Sequence, residues 1–167
     1  IKFALVGCGK IAKRHSQLLA ENQIKDASLI AVCDQVIDKA EEISTKYNIS
    51  AYSCMHEMMQ NEDVDVVVIL TASGLHAKHT SELAQYGKAI VVEKPMALTL
   101  EDADQMIEAC DKNAVKLFVV KQNRFNLPIM KLKQALDKDR FGKLVIGTVR
   151  IRWCRDQEYY DQDEWRG

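Results

Sequence analysis

The stretch "IKFALVGCGKIA", residues 1–12, sets the reading of everything after it. An apolar run from Ile1 to Val6 stops at Gly7, and a helical pattern opens by Lys10. A strand apolar on both faces is buried on both, which is the habit of parallel sheets covered by helices. Residues 10–21 then place Ile11, His15, Leu18 and Leu19 on one helical stripe.

The same rhythm continues. "SLIAVCD" (28–34) reads as a second strand, and Val36, Ala40, Ile43 and Tyr47 follow at helical spacing. A short strand near 51–53 precedes a short helix at 55–60. "VDVVVIL" (64–70) is the most strand-like run, followed by a stripe of Leu75, His79, Leu83 and Tyr86. "AIVVE" (89–93) is strand again. Thr99 with Asp102 resembles a capping box ahead of Ala103, Met106, Ile107 and Cys110, and "VKLFVV" (115–120) is the sixth strand. Six apolar strands separated by helices predict an α/β fold with a doubly wound parallel sheet, a Rossmann fold.

The pattern changes near Lys121 and Gln122. Pro128 opens a helix with Ile129, Leu132 and Leu136 on its stripe, and Gly142 ends the segment. In "KLVIGTVRIRW" (143–153), Val145, Val149, Ile151 and Trp153 share one face, while Thr148, Arg150 and Arg152 share the other. Strict alternation predicts a strand wet on one side, as in an antiparallel sheet. The expected domains are therefore 1–121, dinucleotide-binding, and 122–167, the beginning of an α+β domain too short to bury its own core.

Bulk properties narrow the partners. The 167 residues are 47% hydrophobic and 28% charged, with a formal net charge of −1. No global field draws nucleic acid or an anionic membrane, and no apolar run is long enough to span a bilayer. Ile1 opens directly into a strand, so a signal peptide or tag is expected to be absent or removed. The five cysteines form no C-x-x-C pair and sit mostly in apolar stretches. They read as buried free thiols in a reducing compartment, hence a cytoplasmic protein.

"GCGKIA" (Gly7, Cys8, Gly9, Lys10, Ile11, Ala12) fits G-x-G-x-x-G/A between a strand and a helix. Gly7 allows the tight turn, Gly9 lets a pyrophosphate approach the backbone, and Ala12 keeps the helix close to the sheet. The phosphates would sit at the helix N-terminus, where N–H groups and the dipole favour anions. The motif also calls for an acid about 20 residues on, at the end of the second strand. Asp34 stands 22 positions after Ala12. A carboxylate there binds the ribose diol and repels a 2′-phosphate, and Gln35, Val36 and Ile37 supply no cation to neutralise one. NAD is expected rather than NADP. A glycine turn without ligand is the plain alternative. A methyltransferase loop would want a glycine at Ile11, and a short-chain dehydrogenase a Tyr-x-x-x-Lys that the chain lacks.

Ligands of such sheets bind outside the carboxyl ends of the strands. "TASGLHAKH" (71–79), "EKP" (93–95) and "KQNRFN" (121–126) should then face the glycine loop's crevice. A lysine in a cleft of low dielectric can exchange a proton with a substrate hydroxyl, as hydride loss from an alcohol carbon requires. A surface pairing of Lys94 with Glu93 fits the residues equally well.

Taken together, "GCGKIAKRH", Asp34, "TASGLHAKH" and "EKPMALT" resemble the glucose–fructose oxidoreductase / inositol dehydrogenase / MocA (Gfo/Idh/MocA) family, over the whole chain. The resemblance implies an NAD-dependent oxidoreductase acting on a sugar hydroxyl. It implies a catalytic Lys94, a Lys94–Pro95 bond of a kind that is often cis, and a second domain built on a mainly antiparallel sheet that commonly makes the oligomer contact, so a homo-oligomer. It implies cofactor contacts from Gly7 to Ala12 and from Asp34, Thr71, Ala72, Ser73, His76, Glu93 and Lys94. Two departures stand out. The family often has Thr-Pro-Asn where this chain has Thr71-Ala72-Ser73, which leaves the shape of the nicotinamide-side loop open. The family's second-domain aspartate and histidine would fall beyond Gly167, so the chain reads as the first part of a longer enzyme, inactive alone. "KQNRFNLP" and "RWCRDQEYYDQDEWRG" are similar to the branch that oxidises a UDP-N-acetylglucosamine-derived uronic acid at C3 in surface-polysaccharide synthesis. That makes Asn123 and Arg124 substrate-side candidates, since arginine suits a carboxylate or phosphate.

Other residues carry less. His15 reads as packing or a structural hydrogen bond, and His79 as core. His76 and His79 lie three apart without a clear third ligand, so no metal is expected. His56 has no context, and the tail from Arg155 to Trp165 reads as a solvated loop. A non-catalytic dinucleotide-binding module, such as a redox sensor or regulatory subunit, is the alternative from another class. The E-K-P lysine is the feature against it.

Overall fold

Alternation inside each apolar run sorts the core onto two faces of one sheet. In the computed structural model, which describes residues 1–161, two compact units fall at Ile1–Val120 and from Lys121 onward. In the first unit, β1 (Lys2–Val6) sends Ala4 and Val6 into one apolar cluster and Leu5 into the other. Strand β4 (Val66–Ile69) does the same, with Val67 and Ile69 on one side and Val68 on the other. Helices supply the outer layers. Leu19 of α1 (Lys10–Ala20) and Ala40 and Ile43 of α2 (Ile37–Tyr47) meet the Leu5 side. Met58 of α3 (Met55–Asn61), Leu83 of α4 (His76–Ala84) and Met106 of α5 (Leu100–Lys112) meet the Ala4 side. Each fully buried Leu, Ile, Val or Met adds about 1.5–3 kcal/mol.

The remaining strands are β2 (Ser28–Cys33), β3 (Ser50–Tyr52), β5 (Ala89–Val92) and β6 (Leu117–Val119). All six are parallel, in the order β3-β2-β1-β4-β5-β6. This is the doubly wound arrangement that the sequence predicts, with the strand order reversing at β1 and β4. The capping pair ahead of α5 is present: the Asp102 amide donates to Thr99 Oγ1 at 3.1 Å, a cap of about 1 kcal/mol.

Some expected stripes are rotated. Helix α1 buries Ala12, Ser16 and Leu19, while Ile11 is exposed. Val36, Leu75 and Ile107 are also exposed, the first two because they sit at the open starts of their helices. Cys8, Cys33 and Cys110 are buried free thiols as expected, but Cys54 and Cys154 are exposed. Burial pushes the thiols of Cys8 and Cys33 up to about 12, which leaves them protonated and inert.

In the second unit, a 3-10 turn (Gln122–Phe125) leads into α6 (Leu127–Asp137), with Pro128 in its first turn. The apolar stripe of Ile129, Leu132 and Leu136 forms as a helix but stays exposed. Residues 143–156 differ from expectation, because they form no strand. A β-ladder needs a neighbouring backbone, and no second sheet occurs among the described residues. A short helix, α7 (Gln157–Asp161), replaces part of the expected loop, and the rest of that stretch lies outside the described residues.

Candidate active site

Ladder register gathers the motif residues. Val6 pairs with Cys33 and with Ile69, Ile69 pairs with Val92, and Val92 with Val119. The next residue of each strand therefore emerges on the same edge: Gly7, Asp34, Leu70 leading to Thr71, and Glu93 leading to Lys94. Backbone bonds carry the alignment past the strands, with the Gly7 amide donating to Cys33 O at 2.8 Å and the Glu93 amide to Ile69 O at 3.0 Å.

Gly7 has φ +99°, and a Cβ there would stand 2.8 Å from backbone atoms of Leu70 and Thr71. The glycine loop thus lies directly against the end of β4. Gly9 has ordinary backbone angles and open space where a Cβ would be. It caps α1 without any side-chain partner, and no acid occupies the helix's first turn. Such an end, open and lacking negative charge, suits a pyrophosphate. Ala12 is fully buried, holding α1 against the sheet. Ile11 is exposed where the helix opens. Cys8 points inward, so it offers backbone only.

Asp34 is half-buried and ties the loop to the second strand. Its Oδ2 accepts from the Cys8 amide at 2.7 Å, and its Oδ1 from the Val36 amide at 2.9 Å. Each oxygen keeps a further lone pair for a ribose hydroxyl. Sequence reading missed one nearby cation: Lys39, on α2, acts electrostatically on the Cys8 thiol.

Glu93 is not a surface partner of Lys94. It is buried, and its Oε1 accepts from His15 Nε2 at 3.1 Å while its Oε2 accepts from the Lys94 amide at 3.0 Å. The His15 hydrogen bond, against the opposing cost of burial, holds its carboxyl below the usual range. With both oxygens engaged, Glu93 anchors the turn. The Lys94 side chain is exposed and makes no hydrogen bond or ion pair among the described residues. The Lys94–Pro95 bond is cis.

His76 is held on the far side of the same turn. Its ring is buried, with Nδ1 2.8 Å from Pro95 O and Nε2 3.0 Å from Thr71 O. Both ring nitrogens face these carbonyls. His79, buried as expected, is hydrogen-bonded to Thr71 Oγ1 at 3.0 Å, and burial lowers its pKa. Thr71, Ala72 and Ser73 are half-buried, running into a 3-10 turn (Ser73–Leu75). Asn123 and Arg124 belong to the second unit, exposed on the 3-10 turn that opens it. The His15–Glu93 pair joins residues 78 apart, and no local spacing announces it.

Comparison with known proteins bears on the same edge. The model of the Gfo/Idh/MocA oxidoreductases, described as an NAD-binding Rossmann fold, matches residues 1–121. The WlbA dehydrogenase of Bordetella pertussis, solved with NADH and UDP-GlcNAcA, is 40% identical with a TM-score of 0.94, over 100% of this chain and 51% of that one. Its counterpart from Chromobacterium violaceum, solved with the same two molecules, is also 40% identical with a TM-score of 0.94, over 100% of this chain and 48% of that one. The myo-inositol 2-dehydrogenase of Thermotoga maritima is 32% identical over 86% of this chain and 42% of its own length. The chain spans about half the length of these relatives.

Proposed function

We propose, from the premise that this chain belongs to the Gfo/Idh/MocA oxidoreductase family, that it carries the NAD site and reacting lysine of a nucleotide-sugar dehydrogenase. The observation that carries this reading is the meeting of the open glycine loop, Asp34 and an exposed Lys94 on one sheet edge. The residues fit the cofactor: Gly9 leaves room beside an uncapped helix start, and Asp34 has acceptor capacity to spare. Bound there, NAD would supply the acceptor for a hydride from an alcohol carbon.

The chain's own residues do the rest. Amides from Gly9 onward would hold the pyrophosphate, with Ile11 covering it, and Asp34 would hold the ribose diol. Thr71, Ala72 and Ser73 would border the nicotinamide. Lys94 would orient the substrate hydroxyl and carry its proton as hydride leaves. Likeness over the whole chain to two enzymes bound to UDP-GlcNAcA supports a UDP-linked uronic acid as substrate, oxidised at C3. Asn123 and Arg124 would meet its carboxylate or a phosphate. The division into a cofactor domain over 1–121 and a substrate and oligomerisation domain from 122 belongs to the same reading, as does a cytoplasmic site of action. Among the described residues, no helix is long and apolar enough to cross a membrane.

Calorimetric titration of this chain with NADH and NADPH tests the cofactor half. NADH should bind more tightly, and Asp34→Ala should weaken it roughly tenfold to a hundredfold, the worth of hydrogen bonds to a charged group. Equal affinity for the two cofactors would turn attention to Lys39 and sink the Asp34 assignment. In the longer enzyme, Lys94→Ala should abolish turnover with UDP-GlcNAcA and leave NADH binding intact. Intact turnover would make the lysine dispensable, and loss of binding would make it a cofactor ligand.

A further inference from the structure

The turn that carries Lys94 is gripped on both sides by histidines from helices distant in sequence. On the N-terminal side, His15 of α1 donates to Glu93, whose other oxygen receives the Lys94 amide. On the C-terminal side, the ring of His76, the first residue of α4, sits between Pro95 O and Thr71 O, within hydrogen-bond distance of both. Thr71 is itself held through its hydroxyl by His79. The His76 ring therefore lies between two carbonyl oxygens, with Nδ1 facing Pro95 O and Nε2 facing Thr71 O. Its ring is 1% exposed, so no water substitutes for either bond.

We propose that His15 and His76 are positioning residues for Lys94. His15 acts through the Glu93 carboxylate, and His76 acts by bridging the Pro95 and Thr71 carbonyls. The inference rests on Lys94 being the reacting group, and it adds how that group is aimed. Three features support it. Both residues next to Lys94 are held, while the ammonium is not. The Glu93 carboxylate is hydrogen-bonded to His15 and to the Lys94 amide and makes no hydrogen bond to the Lys94 ammonium. The Thr71 loop, which follows β4, is tied to the same ring as the lysine turn, so the two loops on the crevice share one spacing. Fixing a reacting group from remote elements is worth large rate factors because small displacements cost so much.

The first test needs neither cofactor nor turnover. In the 15N-labelled chain, His76 should show a ring N–H that is slow to exchange with solvent, absent in His76→Phe. A ring N–H exchanging as fast as that of an exposed histidine would mean that the ring is not held between the two loops and would overturn the bridge. The second test reads Lys94 directly. With lysine amines 13C-methylated, and the Lys94 signal assigned by its loss in Lys94→Arg, His76→Phe and Glu93→Gln should each shift that signal. The signals of Lys2 and Lys116, remote from the turn, should stay in place. A Lys94 signal indifferent to both variants would overturn the proposal. In the longer enzyme, His15→Ala and His76→Gln should each lower kcat at least tenfold with the KM for NAD within twofold, and unchanged kcat in both would overturn it. Failure of NADH binding with a responsive Lys94 signal would uphold the grip and sink the cofactor reading alone.

Discussion

Two apolar stretches of this chain invite the same reading and meet opposite fates. Val67 and Ile69, in β4, are fully buried between β1 and β5. Val145 and Val149, in an alternating run just as strand-like, are 87% and 86% exposed in a segment without a ladder. The difference is not in the residues. Strand β4 finds its neighbours within the first 120 positions, while no strand pairs with the 143–156 segment among the described residues. An apolar pattern states what a segment can bury, and its neighbours decide whether it does.

The sharpest way to break this comparison is to remove a side chain from the first unit. Leu5 is fully buried in β1. Leu5→Ala should cost about 2–5 kcal/mol, the range for emptying a well-packed leucine site, read as a lowered midpoint in urea. A loss well under 1 kcal/mol would mean that the sheet's core is not packed as described.

The glycine loop separates stability from function. Gly7→Ala forces a side chain onto φ +99° and against backbone that cannot swing aside. It should cost about 3 kcal/mol, the upper part of the range for a strained backbone position. Gly9→Ala meets open space at an ordinary φ. It should leave stability within about 0.5 kcal/mol, as surface substitutions do, yet weaken NADH binding. If both variants unfold alike, Gly9 serves the fold and not a phosphate.

This contrast also marks what the sequence made legible. The two-faced strands, the glycine loop and the acid at Asp34 follow local rules of period and spacing, so they could be read in order along the chain. Residues acting across the fold could not. His15 meets Glu93 and His76 meets Thr71 and Pro95 only because the sheet order brings α1, β4 and β5 together. His76 opens a helix at the crevice, and which way its ring turns is set by the carbonyls of Thr71 and Pro95. Exposure of Ile11 and Leu75 was likewise hidden, since helical period does not say which residue of a stripe sits at the open end.

Acid probes the buried pair. Glu93 has a folded pKa below its ordinary value near 4.5, chiefly through the His15 hydrogen bond. Its carboxylate therefore adds stability fully above that ordinary value, and the contribution disappears as pH falls through the lower folded value. Glu93→Gln should be less stable than the parent chain at pH 7, with the gap closing as pH drops below 4.5. A gap that stays constant from pH 7 to pH 3 would assign the loss to packing and not to charge.

The smallest effect is expected where the comparison began. Val145→Ser replaces an apolar side chain by a smaller polar one, a change that would cost several kcal/mol at Val67 through lost burial and an unpaired hydroxyl. At 87% exposure Val145 has almost no buried area to lose, and water satisfies the new hydroxyl. The midpoint should move by no more than about 0.5 kcal/mol, and the slope of the urea transition should not change, because the surface released on unfolding is the same. A loss above about 1.5 kcal/mol would show that the alternating face at 145–153 is covered in solution. The valine would then belong with those of β4, and the distinction between the two stretches would collapse.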